Sequence, residues 1–116
     1  RDARKMTTPE YFVNPEECPR FEIFPGVNLH TMAGSQVMLS VVELQPHAVV
    51  QLHQHPHEQI GVLMEGELTF TIGGEQRTLR PGQMWRIPGD VPHQAVAGAN
   101  GAKALDVFHP VREDYL

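Results

Sequence analysis

The sequence predicts an all-β, antiparallel chain that closes into a barrel or a two-sheet jelly roll. Ten Gly and ten Pro in 116 residues are more interruptions than a helical bundle of this length tolerates, at roughly 1 and 3 kcal/mol each inside a helix. From Val37 onward, β-branched and aliphatic runs recur about every ten residues, separated by turn signals. No stretch keeps a helical period for more than two turns. Eight or nine short strands in about 75 residues must hide their edges, and closure into a barrel or jelly roll does so.

Taken in order, residues 1–35 carry proline at 9, 15, 19 and 25 and read as an arm of the same domain, with short strands at Phe21–Phe24 and Val27–His30. Residues 36–116 make the barrel. Its strands are expected at Val37–Leu44, closed by Pro46; Val49–His55, closed by Pro56; Gln59–Met64, before Gly66; and Leu68–Ile72. Gly73-Gly74 form a two-residue hairpin turn, since both central positions need a positive φ. Gln76–Leu79, the turn Arg80-Pro81-Gly82, Gln83–Ile87 and the turn Pro88-Gly89-Asp90 follow. Gln94–Ala97 and Ala104–His109 complete the set.

At this length one domain is expected, and 41% hydrophobic with 20% charged residues suits a packed body. Nine Lys plus Arg against fourteen Asp plus Glu give a net charge of -5. That balance argues against DNA or RNA as a partner, because phosphate-neutralising surface is missing. Cys18 is the single cysteine, so no internal disulfide forms, and a reducing, cytoplasmic setting is expected. No apolar run approaches a membrane span, and no leader resembling a signal peptide opens the sequence. Residues 1–5 are left out of the fold reading.

The chemistry concentrates in histidines. Side chains alternate along a strand, so His53 and His55 project from one face and Gln54 from the other. Gln59 opens the next strand, and His93 enters another after Pro92. Imidazoles on one face, met by ligands from neighbouring strands, suit a transition metal. His57 and Glu58 are alternatives to Gln59 as fourth ligand, should the strand twist or bulge. His30, His47 and His109 have no partner at ligand spacing and read as structural.

The segment His53-Gln54-His55-Pro56-His57-Glu58-Gln59 with Gly66 resembles the first cupin motif, and Pro81-Gly82, Pro88 and His93 resemble the second. The resemblance implies a jelly-roll, double-stranded β-helix barrel holding one divalent metal through His53, His55, Gln59 and His93. It departs at Gln59, where the family usually has glutamate. A neutral amide leaves the dipositive charge uncompensated, which favours an anionic small molecule in the open position and Lewis-acid chemistry over oxygen activation. Three histidines and an amide accept Ni, Zn, Fe, Mn or Cu, so the donor set leaves the metal open.

At the carboxy-terminal end, Asp106 and Phe108 share a strand face, and Leu105 and Val107 the other. A carboxylate buried on an apolar strand needs a partner or a use. The ending through Pro110 and Arg112-Glu113-Asp114-Tyr115-Leu116 resembles the KdgF-like cupins that linearise unsaturated uronates to keto-deoxyuronates. That resemblance implies Asp106 as an acid/base residue, Arg112 as the substrate-carboxylate ligand and Phe108 as a pocket wall. Structural readings stand beside these: an ion pair with Glu113 or a neighbouring chain for Arg112, a hydrogen-bonded carboxylate for Asp106, and plain core for Phe108. Trp85 and Phe70 read as core. An iron-dependent cupin dioxygenase and a non-catalytic ligand-binding cupin are the alternative functions, and exposed edge strands with the Pro-rich arm point to a homodimer.

Overall fold

The computed structural model describes residues 10–116, so Pro9 and residues 1–5 lie outside the described residues. After a 3-10 turn at Pro15–Glu17, eight strands follow: β1 Arg20–Phe24, β2 Val27–Ala33, β3 Met38–Leu44, β4 Val49–His53, β5 Glu58–Ile72, β6 Glu75–Leu79, β7 Met84–Ile87 and β8 His93–His109. All pairings are antiparallel, in the order β1-β2-β3-β8-β5-β6, with β4 also on β8 and β7 also on β5. Both strands foreseen in the arm belong to this sheet. No helix among the described residues is long and apolar enough to cross a membrane.

Two expectations are corrected. The strands foreseen at Gln59–Met64 and Leu68–Ile72 are one strand, β5, and those at Gln94–Ala97 and Ala104–His109 are one strand, β8. The two run together over their whole length, with irregular register between Leu63 and Leu68. There Gly66, at φ 82°, crosses so close to the other strand that a Cβ would sit 2.1 Å from the Gly101 carbonyl oxygen. A glycine read as a strand terminator is therefore the bend inside a continuous strand, a common use of glycine where backbones approach. The second correction is that β4 ends at His53, leaving His55 in the connection to β5.

Inward residues alternate along each strand and build the core, among them Val27 and Leu29 of β2, Met38 and Val42 of β3, Leu63 of β5 and Ile87 of β7. The bend brings both ends of the β5–β8 ribbon back to one place. Gln59 pairs with Phe108 at one end, Ile72 with His93 at the other, and His93 also pairs with His53.

Candidate metal centre

Three imidazoles converge at that meeting point. The rings of His53 and His93 are 4.3 Å apart between centroids, those of His55 and His93 5.0 Å, and those of His53 and His55 5.7 Å. One nitrogen from each lies within 4.8 Å of the others. The same-face argument for His53 and His55 gives the right outcome for an incomplete reason, since His55 is carried in by the loop.

Each ring is oriented the same way. Its Nδ1–H donates to a backbone carbonyl: Gln51 for His53 at 2.8 Å, His57 for His55 at 3.0 Å and Val91 for His93 at 2.8 Å. A carbonyl only accepts, so the proton of each neutral ring stays on Nδ1 and Nε2 offers a lone pair, the arrangement metal-binding histidines use. Burial first, then the nearby Arg112 charge, lowers His55 to about 4, and burial also lowers His93. His55 and His93 are therefore neutral and ligand-ready at pH 7.

The surroundings fit a cation. His93 Nε2 is buried with no partner among the described residues. His55 Nε2 faces the Gln59 side-chain oxygen at 3.2 Å, a contact between two acceptors that a positive ion would relieve. The Gln59 amide nitrogen is turned to Asp106, to which it donates. Gln59 is buried, whereas Glu58 is exposed and on the opposite face of β5. His57 contributes its carbonyl to His55 and keeps its own Nδ1 buried with no partner among the described residues.

Beside the histidines, Asp106, Phe108 and Arg112 border a cavity of about 60 Å³ together with His53, Gln59 and His93. Asp106 is raised to about 6, mainly by burial, with the Gln59 and Trp85 hydrogen bonds offsetting part of the effect. Arg112 is buried, forks onto Asp114 at 3.3 and 2.8 Å, and lies over the rings of Tyr115 and Phe108 at 4.2 and 5.2 Å. Its acidic partner is thus Asp114, not the Glu113 considered as an alternative. Phe108 is buried and stands edge-on to His55 at 5.7 Å.

Four residues beyond those foreseen shape the site. Trp85, read as core, is buried but donates its indole N–H to Asp106 Oδ1 at 2.9 Å. Gly61 leaves the room for that bond, since a Cβ there would be 2.3 Å from Asp106 Oδ1 and 2.4 Å from Trp85 Nε1. Ser40, paired across the strands with Asp106, borders the cavity with a fully buried hydroxyl that has no partner among the described residues. Tyr115 closes the wall, tethered by the Thr31 hydroxyl donating to its carbonyl at 2.6 Å. The single tryptophan was the one sequence signal available, because a buried indole N–H wants an acceptor.

A cupin domain model matches residues 40–108. The chain is a cupin. It is 29% identical to the pectin degradation protein KdgF of Dickeya dadantii (strain 3937), over 91% of this chain and 97% of that protein. The solved structure of KdgF from Halomonas sp. is 32% identical, with a TM-score of 0.82 over 94% of this chain and all of that one, 100%. An RmlC-like cupin from Shewanella frigidimarina NCIMB 400 is 27% identical with a TM-score of 0.84, covering 93% of this cupin and 97% of its own chain. The H2HPP isomerase of Bacillus subtilis is 40% identical over 62 residues, where this cupin spans 25% of that protein.

Proposed function

We propose that this cupin is a metal-dependent isomerase that opens the ring of an unsaturated uronate to the keto-deoxyuronate, with Asp106 as acid/base group and Arg112 as carboxylate ligand. The observation that carries the reading is the placement of one buried carboxylate and one buried guanidinium on the wall of the cavity that the histidines border. Similarity to KdgF proteins over nearly the whole chain supports it.

His53, His55, Gln59 and His93 would hold the ion, which when bound supplies Lewis-acid polarisation of sugar oxygens. Arg112, pre-oriented by Asp114 and two aromatic rings, offers its planar fork to the substrate carboxylate. Asp106 takes the proton of the anomeric hydroxyl as the bond from the anomeric carbon to the ring oxygen breaks. The resulting enol takes up a proton at the internal alkene carbon next to the one that bears the carboxylate and becomes the ketone, so the product is an isomer with no atom gained or lost. Phe108 keeps water from the Arg112 side of the site. A six-carbon acid is larger than the free cavity, so part of the wall has to yield on entry.

The test follows the loss of enol-ether absorbance of unsaturated galacturonate with metal-loaded wild type, Asp106→Ala and Arg112→Ala. Wild type is expected to consume it, Asp106→Ala to lose kcat and Arg112→Ala to raise KM. No consumption by metal-loaded wild type would overturn the substrate, and equal rates in all three would overturn the roles.

A further inference from the structure

Residues that pair across neighbouring strands form rows on the inner face of the sheet. One such row is Thr31 on β2, Ser40 on β3, Asp106 on β8, Gly61 on β5 and Trp85 on β7. The row deeper in the barrel, Leu29, Val42, Ala104 and Leu63, is wholly apolar. Asp106 is held from its β7 flank, where the Trp85 indole N–H donates to Oδ1 at 2.9 Å. On the other flank stands Ser40, directly opposite Asp106, a placement that sets the two Cβ atoms about 5 Å apart. Beyond Ser40, the Thr31 hydroxyl donates to the carbonyl of Tyr115, over whose ring Arg112 lies. Ser40 is fully buried and borders the cavity, and its Oγ has no hydrogen-bond partner among the described residues, Asp106 included. A buried hydroxyl without a partner lowers stability, and alanine would fill nearly the same space without that cost.

We infer that Ser40 is a further catalytic residue, whose hydroxyl donates a hydrogen bond to the ring oxygen of the uronate as that oxygen leaves the anomeric carbon. The inference rests on the function proposed above and deepens it. In an unsaturated uronate the ring oxygen is bonded to two carbons, the anomeric one and the one that bears the carboxylate. With Asp106 at the anomeric hydroxyl and Arg112 on the carboxylate, a donor to the ring oxygen has to stand between them. Ser40 occupies that place, between Asp106 and the wall on which Arg112 lies. When the bond breaks, its electron pair goes to the ring oxygen, the anomeric carbon becomes an aldehyde carbon and the anomeric proton goes to Asp106. Negative charge therefore develops on the ring oxygen, beside a carboxylate that has no spare donor for it. The serine hydroxyl can donate there while keeping its own proton, and a fixed donor aimed at developing charge counts most where water is excluded.

The test compares metal-loaded wild type, Ser40→Ala and Ser40→Cys in steady-state turnover of unsaturated galacturonate, with thermal unfolding and elemental analysis of the same samples. Ser40→Ala is expected to lose kcat by about 100-fold, with KM within about threefold of wild type, since the bond forms only as charge develops. Its Tm should be unchanged or higher and its metal content the same. Ser40→Cys, which keeps only a weak S–H donor, should fall between the two. If wild type consumes the substrate and Ser40→Ala matches its kcat, or raises KM alone, the inference falls while the proposed function stands. A loss of kcat that comes with lost metal or a lower Tm overturns it too, because the hydroxyl is then structural. A wild type that consumes nothing overturns both.

Discussion

Adding one methyl group at Gly61 should break the link between Trp85 and Asp106. Gly61 has an ordinary φ, so on conformational grounds alone Gly61→Ala should stabilise β5 by about 0.5–1 kcal/mol. Against that, the new Cβ would lie 2.3 Å from Asp106 Oδ1 and 2.4 Å from Trp85 Nε1. Both groups must move. A hydrogen bond to a carboxylate is worth about 1.5–3 kcal/mol, and overpacking adds about 1–3 kcal/mol. The net expectation is a loss of about 2–5 kcal/mol, or a fall in Tm of about 10 °C or more for a domain of this size. Trp85 is the single tryptophan, so its fluorescence reports both the thermal unfolding transition and the native environment of the indole. A midpoint within 2 °C of wild type, with unchanged emission, would refute the tight packing and the role given to Gly61.

Further outcomes can be measured on the same protein. Nickel or zinc at about 100 times its Kd should raise stability by about 2.7 kcal/mol; His93→Ala should abolish the rise, and elemental analysis should find the metal gone. In metal-free protein, Asp106, raised to about 6 from 3.8, favours the folded state fully below pH 4 and loses that contribution as the pH climbs through 6. Urea titrations should therefore show the advantage of wild type over Asp106→Asn shrinking by about 3 kcal/mol between pH 4 and 7, and a pH-independent difference would contradict it. His55, lowered to about 4 from 6.5, acts in the opposite sense, its contribution present above pH 6.5 and lost as the pH falls through 4. Ser40→Ala should leave Tm unchanged or higher by calorimetry, because the buried hydroxyl it removes has no partner among the described residues. Arg112→Lys should raise KM about tenfold or more through loss of the planar fork, with kcat little changed in a steady-state assay.

Strand composition and turn residues were legible, and so were the three histidines, because period-two alternation and glycine or proline punctuation are local properties. The long strands were not. Gly66 looks like a terminator until the crossing of β5 and β8 shows it as a bend, and that crossing is a contact with Gly101, 35 positions away. Gln59 could be favoured over Glu58 from strand parity, since one position decides which face a side chain takes. The roles of Trp85, Ser40 and Gly61 depend on which residues oppose Asp106 across three strands, and a linear pattern carries no such register.

The return of the β5–β8 ribbon to its starting point has a mechanical corollary. An ion held jointly by His53 and His93 ties together two places about forty residues apart in the chain. By chain-entropy reasoning, a cross-link closing a loop of that length would restrict the unfolded ensemble by about 4 kcal/mol. The ion then serves as a clasp in a protein whose lone cysteine cannot make one, and stripping it should shorten the lifetime of the folded barrel even where the chemistry of the cavity is never called on.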